Sequence, residues 1–155
     1  MSERCLATIS LTATADKAKN IANAEALVRE ATQRGADWVQ LPEIFHFHGP
    51  YEQIWDMAEL EGGPLVAKMA GLAKELGIVL FAGTIGEQPR ESAAVSNGGY
   101  RRVYNTHYVL GRNGETLAKY RKIHLFNLFD PTGKRVYCEE DGFLAGDSAV
   151  RCTID

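Results

Sequence analysis

Residues 35–45 read GADWVQLPEIF, and the fold is organised around this stretch. Its apolar run at residues 38–41 is typical of a short buried strand, and Pro42 ends the pairing because proline has no amide hydrogen to donate. Upstream, apolar residues recur at three- and four-residue steps over residues 15–34, which predicts a helix. Residues 5–11 precede that helix and read as a further strand. The strand–helix–strand order favours parallel pairing of the two strands.

A second helix and strand follow this unit. Gly63 and Pro64 favour a helix start, and Gly77 favours its end. The apolar run at residues 78–82 is expected of a strand covered on both faces, and residues 87–99 are polar, which predicts a loop. The apolar stripe of the helix consists of Leu65, Met69, Leu72 and Leu76. Helices and strands in this alternation predict an α/β fold.

The remainder of the sequence predicts a hairpin and a last strand. Residues 102–110 alternate in hydrophobicity, and Asn113-Gly114 is a favourable hairpin turn leading to a strand at residues 117–120. Residues 150–154 read as a strand that has just begun where the sequence stops. A sheet left open there would expose an unpaired edge. We therefore expect the N-terminal portion of a longer domain.

Composition excludes several classes of protein. The 155 residues are 45% hydrophobic with a formal net charge of -3, which fits one globular domain without a basic surface for nucleic acid or a polybasic segment for a membrane. The three cysteines, Cys5, Cys138 and Cys152, are widely spaced and odd in number. This pattern favours reduced thiols in a cytoplasmic protein over a disulfide framework.

Two charged residues are candidates for chemistry. Glu43 lies just beyond a predicted strand, where open α/β sheets present ligand-binding groups, and a carboxylate there can act as a general base. Lys122 lies beside an aromatic patch and can stabilise a developing oxyanion. Each has a plainer interpretation: Glu43 opens a loop or caps the next element, and Lys122 belongs to a solvated basic cluster with Lys119 and Arg121.

A different constellation uses histidine. The spacing of His46 and His48 after Glu43, with His107 or His124 as added ligands, suggests a metal-dependent hydrolase. The spacing matches no strong zinc pattern, and histidines in aromatic loops also serve packing or substrate contact.

Several motifs occur in a fixed order around Glu43 and Lys122. They are EGGP at residues 61–64, FAGT at 81–84, VYNT at 103–106, YRKIHLF at 120–126, and Glu139 ahead of AGD at 145–147. With residues 35–45 they resemble the nitrilase, or carbon–nitrogen hydrolase, superfamily, and within it the omega-amidase-like or deaminated-glutathione-amidase-like branch. The resemblance implies the N-terminal portion of a nitrilase-type α-β-β-α sandwich, with residues 1–155 forming a partial domain that ends before the nucleophile motif.

The resemblance also implies roles. Glu43 is expected to deprotonate a cysteine thiol, Lys122 to stabilise the tetrahedral intermediate, and Glu139 to be the second carboxylate near the site. For Glu139 a solvated acidic run with Glu140 and Asp141 is the alternative. The implied reaction is hydrolysis of a non-peptide carbon–nitrogen bond in a small carboxyamide, without a metal or organic cofactor. A homodimer is among the assemblies that such proteins form.

The sequence departs from that family in one respect. The family's nucleophile lies in a Gly-x-x-x-Cys-Tyr/Phe-Asp motif, which would fall beyond Asp155. Cys5, Cys138 and Cys152 lack this context, and a strand thiol is more often a small buried hydrophobe. We therefore expect the chain alone to be inactive as a hydrolase. A non-catalytic binding or interaction module on the same fold is the alternative.

Overall fold

The computed structural model describes residues 3–90 and 99–154 and forms a sheet covered by helices. The helices are α1 (Lys17–Gln33), α2 (Tyr51–Met57) and α3 (Pro64–Leu76), with a 3₁₀ turn at Glu139–Asp141. The strands are β1 (Leu6–Thr8), β2 (Trp38–Gln40), β3 (Val79–Glu87), β4 (Val103–Leu110), β5 (Thr116–Arg121), β6 (Asn127–Phe129), β7 (Arg135–Cys138) and β8 (Phe143–Leu144).

The main sheet has the strand order β1-β2-β3-β4-β5, with β8 beside the start of β4. The predicted parallel pairing is confirmed, because Trp38 of β2 lies opposite Leu6 of β1 and Val79 of β3. β4 is antiparallel to both β3 and β5. The predicted hairpin is also confirmed, and Gly114 takes the positive φ of 82° that its turn requires.

The core lies between the sheet and the helices α1 and α3. Asp16 caps α1 by accepting a hydrogen bond from the Lys19 amide over 3.0 Å, and Gly77 ends α3 in the left-handed conformation. No helix in the described part of the chain is long and apolar enough to cross a membrane. The buried core residues include Ala24 and Val28 of α1, Leu65, Met69 and Leu72 of α3, and Val39, Leu80 and Leu110 of the sheet.

Some elements differ from the sequence prediction. The last predicted strand, residues 150–154, is wrong, because the described residues after β8 run without regular secondary structure and pair with no strand. α2 and the β6–β7 hairpin were not predicted, since such short elements depend on tertiary neighbours more than on pattern. β3 continues to Glu87, the first residue of the predicted loop at 87–99; residues 91–98 of that loop lie outside the described residues.

Glu87 is a buried carboxylate that organises one face of β4 and β5. Its side chain is 1% exposed, and it accepts hydrogen bonds from the Tyr108 hydroxyl over 2.9 Å and from Arg121 Nε over 3.0 Å. Lys119 completes the group with an ion pair of 2.9 Å to the same carboxylate. Burial of the Tyr108 hydroxyl, with the Glu87 charge beside it, raises the pKa of that phenol. Lys119 and Arg121 therefore do not form the solvated basic cluster that was the alternative for this segment.

Replacing Glu87 by Gln is expected to lower the free energy of unfolding by about 3–5 kcal/mol, because it removes the carboxylate that compensates two partly buried cations. Urea denaturation followed by circular dichroism measures the change. Glu30→Gln, which breaks the exposed pair of Glu30 with Arg34, is the control and should change stability by less than about 1 kcal/mol. Equal losses in the two variants would contradict the assignment.

Candidate active site

The segment that carries Glu43 is held against β3 by a close backbone approach. A β-bulge interrupts the β3–β4 ladder between Phe81 and Thr84, and Gly83 within it has a φ of 54°. A Cβ atom at Gly83 would lie 2.1 Å from the Pro42 carbonyl oxygen. Only glycine therefore permits the strand to pass this close to the residue before Glu43.

Ile44, the residue after Glu43, has a strained backbone. Its φ is 48°, and within residues 3–90 and 99–154 it is the only non-glycine residue with a positive φ. Residues with β-branched side chains rarely adopt such a value. The Thr84 hydroxyl accepts a hydrogen bond from the Ile44 amide over 2.8 Å, and the Thr84 amide donates to the Pro42 carbonyl over 3.3 Å. Thr84 thus holds both sides of Glu43 in a conformation that the local sequence does not favour.

Lys122 lies between two carboxylates that come from distant parts of the chain. Its Nζ donates to Oε1 of Glu43 over 2.9 Å and to Oε1 of Glu139 over 2.9 Å. Glu139 opens the 3₁₀ turn after β7, and its other oxygen accepts from the Phe126 amide over 2.6 Å. The structure brings together the three residues that the sequence singled out.

The electrostatics of this group follow from its partial burial. Burial opposes the positive charge of Lys122, but hydrogen bonds to Glu139 and Glu43 and their negative charges outweigh it and raise the pKa of Lys122. Lys122 is consequently a fixed cation. The Glu139 side chain is 12% exposed whereas that of Glu43 is 54% exposed, so Glu43 is the carboxylate open to solvent.

A cleft of about 490 Å³ lies beside the two carboxylates. Glu43 and Glu139 are the acidic residues of its wall, and α2 and the β6–β7 hairpin contribute aromatic rings. The remaining wall is formed by Ile44, Phe47, His48, Gly49, Pro50, Tyr51, Ile54, Tyr137 and Phe143. A largely apolar wall with two convergent carboxylates is the composition of a small-molecule site.

Asn105 belongs to the site and was missed as a candidate. It lies on β4, is 1% exposed, and donates to Oε1 of Glu43 over 2.6 Å. The available signal was an asparagine within a largely apolar strand, because a buried polar side chain requires a partner.

The cysteines do not line the cleft, although Cys138 lies between the wall residues Tyr137 and Glu139. Cys5 is exposed, and Cys152 is half-buried in the irregular segment after β8. Cys138 is buried and accepts a hydrogen bond from Arg135 Nε over 3.1 Å. None of the three belongs to the described wall of the cleft.

The histidines do not form a metal site. His46 is buried, and its Nε2 accepts a hydrogen bond from the Gly86 amide over 3.4 Å, whereas His48 is exposed at the cleft. His107 is bound through Nδ1 to the Gly83 carbonyl, and His124 is exposed. Among the described residues, no group of three or more His, Cys, Asp or Glu side chains is placed to hold a metal ion, so the arrangement does not support the metal-dependent alternative.

The chain matches the carbon-nitrogen hydrolase family over residues 5–152. It belongs to that family. The resemblance inferred from the motifs is thereby confirmed. Among its sequence relatives are omega-amidases: the chain is 39% identical to mouse omega-amidase NIT2 over 150 residues, which cover 96% of this chain and 50% of the relative. It spans about half the length of the curated mammalian relatives that it matches.

Solved structures agree on the fold. An amidase from Nesterenkonia sp. superposes with a TM-score of 0.69 at 23% identity, covering 92% of this chain and 48% of that one. The NitFhit protein of C. elegans superposes with a TM-score of 0.70 at 24% identity, covering 94% of this chain and 34% of that one. The expected α/β fold of the nitrilase type is confirmed by these neighbours, of which the chain covers 34% and 48%.

Thr84→Val is expected to lower the free energy of unfolding by about 1–2 kcal/mol, because the Ile44 amide loses its acceptor and nothing offsets the strained φ. Thr84→Ser keeps the hydroxyl and is the matched control, with a smaller loss from the missing methyl group. Chemical denaturation of both variants measures the difference. If the serine and valine variants lose the same stability, the hydroxyl does not hold this segment.

Burial, together with the charge of Lys17, lowers the pKa of His46 to about 3, against an opposing contact with the Thr84 backbone. The unfolded chain binds a proton on His46 below about pH 6.5 and the folded chain does not, so stability falls as the pH drops from 6.5 towards 3. Between pH 7.5 and pH 5 this contributes a loss of about 2 kcal/mol. Denaturation at the two pH values should show that loss reduced in His46→Gln. A reduction of the same size in His48→Gln, the control, would contradict the assignment.

Proposed function

We propose that this chain supplies the general base and the oxyanion-stabilising cation of a carbon–nitrogen hydrolase that acts on a small carboxyamide. The observation that carries the proposal is the contact of Lys122 with both Glu43 and Glu139 at the wall of the cleft. A base, a cation and a second carboxylate beside an apolar cleft suit acyl transfer.

The reaction assigns one task to each residue. Glu43 accepts the proton of a cysteine thiol, and the thiolate attacks the amide carbon to give a tetrahedral intermediate. Lys122 stabilises its oxyanion, the carbon–nitrogen bond breaks, and the proton held by Glu43 leaves with ammonia. Glu43 then deprotonates a water molecule that attacks the thioester, which releases the carboxylic acid and returns the thiol.

Glu139 keeps Lys122 charged and in place. Both oxygens of its carboxylate are held by hydrogen bonds. Oε1 accepts from the Lys122 ammonium, and Oε2 accepts from the Phe126 amide. Glu139 is nearly buried and contacts Lys122 with little access to solvent, whereas Glu43 is exposed along the cleft. The two carboxylates therefore have different tasks, one structural towards Lys122 and one chemical.

Cleft size and the relatives support a short amide as substrate. A volume of about 490 Å³ lies within the range of small-molecule sites. The similarity to omega-amidases suggests a terminal carboxyamide on a short acid. The wall offers apolar contact to the substrate's carbon chain, and Lys122, which binds the wall residues Glu43 and Glu139, supplies the positive charge for the amide oxygen.

The nucleophile is proposed to come from outside these residues, because no described cysteine lines the cleft. The chain alone is then inactive as a hydrolase. The same observation favours the second candidate, a non-catalytic binding module that uses the cleft without the reaction. The roles proposed for Glu43, Lys122 and Glu139 in hydrolysis require such a thiol.

Joining this chain to the half of mouse omega-amidase that it does not match should give a protein that releases ammonia from a short ω-carboxyamide such as succinamate. Glu43→Gln is expected to lower turnover about 10²–10⁴-fold, because the general base is lost. A coupled ammonia assay measures the rate. Glu75→Gln, which changes an exposed carboxylate on α3, is the matched control and should not alter it.

Full turnover in the Glu43→Gln protein would overturn the assignment of the base. A joined protein that folds and binds the amide without releasing ammonia would favour the binding module. Ammonia release by the 155-residue chain alone, if it disappeared when the three cysteines were replaced by alanine, would show that the nucleophile lies within it.

A further inference from the structure

Asn105 lies at the point where Glu43 and Lys122 meet. Its Nδ2 donates to Oε1 of Glu43 over 2.6 Å, and the Lys122 ammonium donates to the same oxygen over 2.9 Å. Two donors, one neutral and one charged, therefore converge on a single carboxylate oxygen.

The other oxygen of Glu43 is placed differently. Within residues 3–90 and 99–154, the hydrogen bonds to this carboxylate reach Oε1 and none reaches Oε2. The side chain is half-exposed along the cleft. Since donors occupy Oε1, an incoming proton finds free lone pairs on Oε2.

We propose that Asn105 is a positioning residue for Glu43: it holds Oε1 and directs Oε2 towards the cleft as the oxygen that accepts the proton. This inference rests on the proposed role of Glu43 as a base. It adds a fourth member, a neutral amide, to the group formed by Glu43, Lys122 and Glu139.

The carboxylate fixes the orientation of the Asn105 amide. Rotation of the amide by 180° would set Oδ1 against the negative charge of Glu43 and lose the hydrogen bond. In the observed orientation Oδ1 is buried and has no hydrogen-bond partner among the described residues. A buried acceptor without a partner is unfavourable. The hydrogen bond from Nδ2 of the same amide to Glu43 compensates for this cost.

Asn105 also binds Lys122, through its backbone. Its carbonyl accepts a hydrogen bond from the Lys122 amide over 2.8 Å, which extends the β4–β5 ladder by one residue. Side-chain substitutions at position 105 leave this bond in place. The role of the amide towards Glu43 is therefore separable from the role of the strand towards Lys122.

The test is a ¹³C spectrum of the 155-residue chain at one fixed pH, with the carboxyl signal of Glu43 assigned by its loss in Glu43→Gln. In Asn105→Leu this carboxyl signal is expected to shift, because Oε1 of Glu43 loses one of its two hydrogen bonds. The other titratable groups around the cleft are unchanged in every variant: Lys122, Glu139, His48, Tyr51 and Tyr137.

Asn20→Leu is the matched control. Asn20 is also buried, but its amide binds the Thr14 and His46 carbonyls and does not touch Glu43. Its removal should lower stability and leave the Glu43 carboxyl signal in place. An unchanged carboxyl signal in Asn105→Leu, or an equal shift in Asn20→Leu, would overturn the proposal.

A second measurement needs no substitution at position 105. The side-chain amide signals of Asn105 in a ¹⁵N–¹H spectrum should differ between the unmodified chain and Glu43→Gln, because the charged acceptor of the Asn105 amide becomes neutral. If the Asn105 amide signals are the same in Glu43→Gln as in the unmodified chain, the contact is excluded, even if Asn105→Leu does not fold. Neither measurement involves turnover, so a failure here is distinct from a failure of the joined protein to hydrolyse amides.

Discussion

The ammonium of Lys122 joins three parts of the chain that are far apart in sequence. It binds Glu43 after β2 and Glu139 after β7, while its own backbone continues β5. Removing a charge from water is unfavourable unless its partners compensate, and here two carboxylates do so. These three segments are thus held together beside the cleft, to whose wall Glu43 and Glu139 belong.

Glu43 reaches this contact through a backbone that is not at its local optimum. Gly83 allows β3 to approach Pro42, and Thr84 secures the strained turn at Ile44. The core of β2, β3 and α3 supplies the rigid support that such a turn needs. Strain next to a candidate base is consistent with a conformation selected for position rather than for stability.

Charge on β5 is divided between the two faces of the sheet. Arg121 and Lys119 face the buried Glu87, and Lys122, the next residue along, faces the opposite side and reaches Glu43. Successive side chains of a strand point in opposite directions, so three basic residues in four positions serve two separate groups. Glu87 neutralises one group, which leaves Lys122 as the cation at the cleft.

The sequence by itself determined the parallel strand–helix–strand unit, the β4–β5 hairpin and the identity of Glu43, Lys122 and Glu139 as candidates, because hydrophobic period, turn residues and motif order are local properties. It did not reveal α2, the β6–β7 hairpin, the irregular course of residues 150–154, or the contacts of Asn105 and Glu87. Those depend on which strands lie side by side and on which side chains share a face. Only the tertiary structure decides that, since hydrogen bonds across 62 residues, as between Asn105 and Glu43, leave no periodic signal in the sequence.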